Sequence, residues 1–321
     1  MKKATITIFI LLILLTSCGS RTGDGNTESI DVATLRGPSA ISMIHMIDSL
    51  QTIQNRKVNF QIKNEPLQIR PLLFREKVEF AVVPTNMASI LYNKGVNYQL
   101  AAVPVWGTLY LFGKSEEVTS WEDLKGKKIH LMAKGMTPDV MFRYLLDKNG
   151  IDPQKDVALD YSFPTHIELA NAVASGKADL GVISEPMVSM VISKNHRIKP
   201  VISLNEAWKN QTGMEIPQTA LLVHKEFAEN NKQKVNQFLK YYDEATRWIN
   251  DHPKSGSQLI VKNNILESEQ VAYQSIPRCN IQFTYAYDIR EMVTDYLKIF
   301  HQMNPDIIGG KLPDEDFYYK K

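Results

Sequence analysis

Two stretches one hundred residues apart decide the fold: Lys77–Ile90, KVEFAVVPTNMASI, and Lys177–Met190, KADLGVISEPMVSM. They match in character at most positions. Each contains a short apolar run that ends in a polar turn with a proline. A short apolar run before such a turn is typical of a buried strand. The spacing therefore predicts two copies of one structural unit.

Two further pairs of segments keep nearly the same offset. Val58–Ile62 corresponds to Val157–Tyr161, and Val32–Ser39 corresponds to Leu131–Pro138. Each unit then contains a strand, a helix, a strand, a helix and a strand, and three correspondences in register indicate a duplication. Strands that alternate with helices predict an α/β protein in which each unit forms a mostly parallel sheet flanked by helices.

Helix start signals support this order in the second unit. Thr137, Pro138 and Asp139 supply an N-cap, a first-turn proline and an acid that matches the helix dipole. The Thr165–Glu168 segment has the capping-box pattern, in which the side chains of the first and fourth residues each bond the other's backbone. We expect that helix to run to Gly176, a favourable C-terminal stop.

The N-terminus has the layout of an export signal. Lys2 and Lys3 precede the apolar run Ala4–Leu15, which is too short to span a bilayer as a mature helix. The following Leu15–Cys18 segment resembles the bacterial lipobox, which implies cleavage before Cys18 and acylation of that cysteine. We expect residues 1–17 to be a signal peptide and the mature protein to be held on a membrane by its acyl chains. An ordinary signal peptide with an incidental cysteine is the alternative.

Composition limits the remaining possibilities. The small, polar residues 18–29 predict a flexible tether, and about 290 residues remain, which favours two lobes over one. Without Lys2 and Lys3 the formal charge falls from +2 to 0, and no basic block remains, so nucleic acid is not an expected partner. Cys279 has no partner for an intrachain disulfide once Cys18 is acylated.

The chain resembles a known family. The lipobox, the Asp123–Lys127 segment DLKGK, the Gly176–Asp179 turn GKAD and the Pro217–Val223 segment PQTALLV before long helices are similar to extracytoplasmic solute-binding proteins. Among these, the nitrate, sulfonate, taurine and thiamine-precursor binders of ABC importers are the most similar. The resemblance implies a two-lobed, periplasmic-binding-protein-like fold, a small-molecule solute, an ABC permease as partner and a periplasmic, membrane-anchored location. The outer face of a Gram-positive membrane is the alternative location.

The resemblance also implies the domain boundaries. Residues 30–108 and 218–321 would form lobe 1, and residues 109–223 would contain the crossovers and lobe 2, at about 113–213. Crossover strands are expected near Leu109–Gly113 and Met214–Val223. C-terminal helices at about 232–251, 267–276 and 288–301 would pack on lobe 1, and the protein is expected to be a monomer.

Ligands of open α/β sheets bind at the carboxyl ends of the strands, where helices begin. Glycines there allow close backbone approach, and hydroxyl and amide groups can bond a solute. Each hydroxyl has a plain alternative role as a helix cap, and the asparagine as a turn residue. The strand ends nominate a set of ligand-binding residues: Gly37, Pro38, Ser39, Thr85, Asn86, Trp106, Gly107, Gly135, Met136, Thr137 and Glu185.

Two of these residues decide the expected chemistry. Trp106 ends a strand beside Gly107 and could stack on a flat ligand, or it could belong to the core. Glu185 would repel a simple anion and pair with a nitrogen-bearing group, or it could be a solvated acid at a helix start. The sequence therefore predicts a nitrogen-bearing or an anionic solute, with a preference for the former.

Catalysis and metal binding have little support. The seven histidines show no i, i+4 pair, and no Cys-x-x-Cys, Gly-x-Ser-x-Gly or P-loop motif occurs. His45 and His166 are expected to be exposed helix residues. We therefore expect no catalytic residue, no metal and no cofactor. A sensory or scaffolding module of the cell envelope is the alternative function, and an enzyme similar to a pyrimidine synthase is a more remote one, because that enzyme's cysteine-rich motif is missing.

Overall fold

The computed structural model describes residues 29–114, 118–132 and 134–321. The predicted signal peptide, Cys18 and all of the tether except Ser29 lie outside these residues. None of the described helices is both long enough and apolar enough to cross a membrane.

The described strands form two sheets. The first contains β1 (Ile30–Leu35), β2 (Thr52–Ile53), β3 (Arg56–Lys63), β4 (Phe80–Pro84), β5 (Tyr98–Trp106), β11 (Pro217–His224) and β12 (Ile281–Tyr285). The second contains β6 (Leu109–Lys114), β7 (Lys128–His130), β8 (Ala158–Asp160), β9 (Leu180–Ser184) and β10 (Ile198–Ser203). Their orders are β12-β5-β11-β4-β1-β3-β2 and β10-β6-β9-β7-β8.

The two orders confirm the duplication. β3, β1 and β4 lie side by side and parallel in the first sheet, as β8, β7 and β9 do in the second. Val58–Ile62 and Val157–Tyr161 overlap β3 and β8, and the two decisive stretches contain β4 and β9. The third pair is less exact, because Val32–Ser39 overlaps β1 whereas Leu131–Pro138 follows β7. An antiparallel strand, β11 or β6, then follows at the same edge of each unit.

The α/β fold class is confirmed, but each sheet is mixed rather than mostly parallel. Beyond the three parallel strands, every further pairing in the first sheet is antiparallel, and so are both pairings of β6 in the second. The chain path explains the antiparallel strands β6 and β11. Each of them begins after a connection from the other sheet, and each therefore runs opposite to the three parallel strands beside it.

The chain passes between the sheets at two short connections. Gly107 and Thr108 join β5 to β6, and residues 213–216 lead to β11. The segments expected to be crossover strands therefore lie within single sheets: Leu109–Gly113 pairs with β9 in the second sheet, and Thr219–Val223 pairs with β4 in the first.

Helices cover the sheets. They are α1 (Pro38–Ser42), α2 (Ile44–Ser49), α3 (Pro66–Phe74), α4 (Thr85–Asn93), α5 (Thr137–Lys148), α6 (His166–Ala174), α7 (Met187–Lys194), α8 (Leu204–Thr212), α9 (Lys225–Asn230), α10 (Lys232–Asp251), α11 (Pro253–Lys262), α12 (Glu269–Ser275) and α13 (Arg290–Met303). Short 3-10 turns span Glu122–Leu124, Ile276–Cys279, Pro305–Ile308 and Glu315–Phe317. Three C-terminal helices match the expected ones, and α11 was not foreseen.

The C-terminal helices do not pack on the first sheet alone. Phe238 of α10 stacks on Phe80 of β4, with ring centroids 3.8 Å apart, as expected for that helix. The segment 276–308, which we call the C-terminal strap, contacts both sheets. Tyr296 of α13 packs edge-on against Trp208 of α8, and the carbonyl of Ile307 accepts a hydrogen bond from Asn86 at the start of α4. One core cluster therefore extends across both sheets.

Candidate functional site

The predicted site residues lie at the carboxyl ends of β1, β4, β5, β7 and β9, as the sequence predicts. Ser39, Thr85, Asn86, Thr137 and Glu185 are all buried there. Met136 differs, because 41% of its surface is exposed. Buried polar groups need hydrogen-bond partners, so their contacts define what the site can do.

One hydrogen bond joins predicted site residues from the two sheets. The hydroxyl of Thr137, the first residue of α5, donates to the side-chain oxygen of Asn86 at a distance of 3.0 Å. The side-chain amide of Asn86 donates to the carbonyl of Ile307 at 3.4 Å. Asn86 is thus bonded to the C-terminal strap on one side and, on the other, to the start of helix α5 from the second unit.

A second approach between the sheets occurs at Gly37. Its φ of 100° lies in the region that favours glycine, and a Cβ atom here would lie 3.5 Å from Cδ of Pro186, which follows Glu185. The neighbouring Pro38 and Ser39 begin helix α1. The loops after β1 and β9 therefore face each other at short range.

Thr85 and Gly107 have structural partners. The Thr85 hydroxyl donates to the carbonyl of Pro217 at 2.5 Å. A side chain at Gly107 would collide with Asn205 of α8, and the Gly107 carbonyl accepts a hydrogen bond from the side chain of Asn280. These contacts fix the two places where the chain passes between the sheets.

Trp106 is buried in the core cluster that spans both sheets. Its indole N–H donates to the carbonyl of Gln282 in β12 at 2.9 Å. The residue therefore has the contacts of a core tryptophan with a satisfied polar group. Stacking on a ligand stays a prediction.

The Gly135–Thr137 loop is held by a network that sequence reasoning missed. The backbone N–H of Gly135 donates to Asp139 at 2.7 Å, and the guanidinium of Arg143 donates to the same carboxylate at 2.6 Å. Tyr161, after β8, donates its hydroxyl to Asp139 and accepts from Arg143 at 2.7 Å. Burial raises the pKa of Tyr161 to about 12, so its hydroxyl stays a donor. The i, i+4 spacing of Asp139 and Arg143 was the available signal.

Glu185 is paired within the protein. Its side chain is fully buried and forms an ion pair with Arg278 of the C-terminal strap. Burial raises the pKa of Glu185, and Arg278 and Ser189 act in the opposite direction. Sequence reasoning missed Arg278, because it is far from Glu185 along the chain and lies in no motif.

The structure shows no sign of a metal centre in the parts of the chain that it describes. No group of three or more His, Cys, Asp or Glu side chains there is arranged to hold an ion. His45 stacks on Trp248 and is partly buried rather than exposed. His166 is also partly buried, and burial lowers its pKa to about 4, so the ring is neutral at pH 7.

Comparison with known proteins identifies the family. The model of the family described as "ABC transporter, phosphonate, periplasmic substrate-binding protein" matches residues 43–267. The chain belongs to this family. The resemblance drawn from the sequence is thereby confirmed, and the family is one of transporter binding proteins rather than of enzymes.

Individual relatives agree with this assignment. This chain is 27% identical over 183 residues to the Bacillus subtilis protein YtlA, named as a binding protein, and 30% identical over 117 residues to the nitrate/nitrite binding protein NrtA of Synechococcus elongatus. The matches cover 57% and 36% of this chain but only 53% and 25% of those relatives. The chain therefore spans about half the length of the first curated relative and about a quarter of the second.

Solved structures confirm the fold. An ABC transporter protein from Parabacteroides distasonis is 28% identical, with a TM-score of 0.81 over 91% of this chain and 99% of the other. The aliphatic sulphonate binding protein SsuA from Escherichia coli is 15% identical, with a TM-score of 0.71 over 92% and 95%. The second likeness concerns the fold alone.

Proposed function

We propose that the protein is the solute-binding component of an ABC importer, which captures a small solute between its two sheets and delivers it to a permease. The observation that carries this proposal is the Thr137–Asn86 hydrogen bond, together with family membership. Opposing helix starts meet there, so a solute bound to one side would contact the other. Contacts from both sides favour a closed state.

The mechanism that we propose is closure of two lobes about a hinge. Lobe 1 comprises residues 30–108 and 218–321, and lobe 2 comprises about residues 113–213. The connections at Gly107–Thr108 and at 213–216 are short, and Gly213 has a φ of 74° that few other residues adopt easily. Short connections of this kind can absorb a rotation between two rigid bodies.

An anionic solute fits the site better than a nitrogen-bearing one. The preference for a nitrogen-bearing solute depended on a free Glu185, and that carboxylate is already paired with Arg278. The starts of α4 and α5 bring partial positive charge to the place where Asn86 and Thr137 meet. The names of the family and of the relative NrtA, which refer to phosphonate and nitrate, support the same class.

Native mass spectrometry of the protein purified without refolding tests the proposal. We expect a retained solute whose mass corresponds to a small anion, and calorimetry with that compound should give one site per chain. A purified protein that carries no solute and binds none of a panel of small oxyanions, amines and heterocycles would contradict a solute-binding role. A retained cation would contradict the anionic class alone.

We also propose a membrane tether for this protein on the periplasmic side. The support is the lipobox-like segment ending at Cys18, because two or more acyl chains give stable anchoring. We further propose that the body is a monomer joined to this anchor by residues 18–29. Mass analysis of the mature N-terminus should show an acylated Cys18, and Cys18→Ser should abolish that modification. An unmodified Cys18 in the mature wild type would rule the tether out.

A further inference from the structure

The ion pair between Glu185 and Arg278 lies between the second sheet and the C-terminal strap. Glu185 follows β9, and Arg278 lies in the Ile276–Cys279 turn that precedes β12 of the first sheet. The hydroxyl of Tyr110, in β6, donates to the backbone carbonyl of Arg278 at 3.3 Å. The backbone of the turn is therefore held against the second sheet independently of the ion pair.

The Glu185 carboxylate has every partner that it needs. One oxygen accepts the backbone N–H of Ser189 at 3.0 Å. The other accepts the Ser189 hydroxyl at 3.0 Å and the Nε–H of Arg278, whose second nitrogen also donates to Ser189. A buried carboxylate is stable only with such compensation. Arg278 is the charged side chain that forms an ion pair with this carboxylate.

The first unit has a neutral side chain at the corresponding position. Thr85 lies one hundred residues before Glu185, and its hydroxyl donates to the backbone carbonyl of Pro217. The two turns differ, because α4 begins at Thr85 itself, whereas α7 begins at Met187, two residues after Glu185. The second unit instead holds a carboxylate and a cation that neutralise each other.

We propose that Arg278 is a specificity-determining residue of the cleft, because it supplies from the protein itself the cation that Glu185 would otherwise take from a solute. The inference rests on the solute-binding function proposed above. Glu185 is fully enclosed, whereas 32% of the Arg278 side chain is exposed. Removal of the Arg278 side chain therefore opens a path from solvent to an unpaired carboxylate, and removal of the carboxylate frees a cation.

Two complementary variants test the proposal by thermal unfolding. Arg278→Ala should lower the melting temperature by about 5 °C, the scale expected when a buried ion pair loses one partner. Methylguanidinium chloride should restore at least half of that loss, while sodium chloride at equal ionic strength should not. Glu185→Gln should instead gain stability from sodium sulfate beyond the gain that the wild type shows, because Arg278 is then free.

The controls separate the specific pair from general salt effects. The double variant Glu185→Gln, Arg278→Ala should respond to both salts as the wild type does. Arg247→Ala, which breaks an ion pair with Asp243 within helix α10, should show no rescue by methylguanidinium. The proposal is wrong if a folded Arg278→Ala protein gains nothing from methylguanidinium, or if the double variant gains as much as the single one.

Neither arm uses the natural solute, so the outcome is independent of whether solute binding itself is established. If Arg278→Ala does not fold alone, it is refolded with and without methylguanidinium. A soluble yield that does not depend on the additive contradicts the proposal. The Glu185→Gln arm stands by itself, and a sulfate response equal to that of the wild type overturns the inference.

Discussion

The hydrogen bond between Asn86 and Thr137 gives the most direct test of the cleft. Asn86→Ala and Thr137→Val should each weaken solute binding about fivefold, the equivalent of roughly 1 kcal/mol for one hydrogen bond. Because both variants remove the same bond, the double variant should bind nearly as well as either single variant. Calorimetry with the solute identified by mass spectrometry measures these affinities.

A buried threonine outside the cleft serves as the control. The Thr246 hydroxyl donates to a carbonyl within its own helix α10, so Thr246→Val should leave solute affinity unchanged. Fully additive losses in the Asn86 and Thr137 variants would show that the two side chains act separately, and would remove the contact between the sheets from the mechanism.

A substitution at Trp106 can distinguish a packing role of this residue from a role in ligand binding. Trp106→Phe removes the indole N–H that donates to Gln282, and leaves a buried carbonyl without that partner. We expect the free energy of unfolding to fall by about 1–2 kcal/mol, with solute affinity unchanged. Chemical denaturation and calorimetry on the same preparation check both quantities. An unchanged stability with weaker binding would establish the stacking role that the sequence allowed.

The candidate site residues that the sequence nominates share a position at strand ends and helix starts. Asn86 and Thr137 could be nominated because such positions can be located from local patterns. Arg278 and Tyr161 were missed, because each reaches the site by tertiary packing and follows no pattern of its own. Asp139 was recognised as a helix-start acid, but its bond to Gly135 depends on the loop conformation that the fold imposes.

The capping box at the start of α6 is a single element that the sequence predicted and the structure confirms. The backbone N–H of Glu168 donates to the Thr165 hydroxyl at 3.2 Å, and the backbone N–H of Thr165 donates to Glu168 at 3.1 Å. Thr165→Ala should therefore lower the free energy of unfolding by about 1 kcal/mol. Denaturant unfolding measures this loss.

Thr165→Ser keeps the hydroxyl and should retain most of the stability. Equal losses in the alanine and serine variants would mean that the methyl group, and not the cap, is responsible. Helix α11 shows the opposite case, because the sequence analysis predicts no helix there, although Pro253 is a typical first-turn residue.

The strand order of the two sheets was predictable only in part. Local patterns located β1, β3 and β4 and two of their counterparts, β8 and β9, because a repeated sequence implies a repeated unit. The segment matched to β1 lies just after β7. The antiparallel strands depend on where the chain returns from the other sheet, which no local pattern records. The contacts of the C-terminal strap with both sheets were unexpected for the same reason.

Closure about the two short connections should change the size of the molecule. Small-angle scattering should give a smaller radius of gyration for the solute-loaded protein than for the solute-free protein. Glycine substitutions in these connections are not used as a control. The control is instead the Asn86→Ala variant, measured at a solute concentration that saturates the wild type but not the variant. An unchanged radius with binding confirmed would exclude hinge closure.

The position of Trp208 determines when its packing can be completed as the chain is synthesised. It belongs to α8, yet Tyr296 and Phe300 of α13 cover its ring, with centroids 5.6 and 6.2 Å away. A ribosome adds those two side chains long after it adds Trp208. Until then, an unfinished chain keeps one face of a large aromatic ring in water. The packed environment of Trp208 is therefore complete only after α13 has been synthesised.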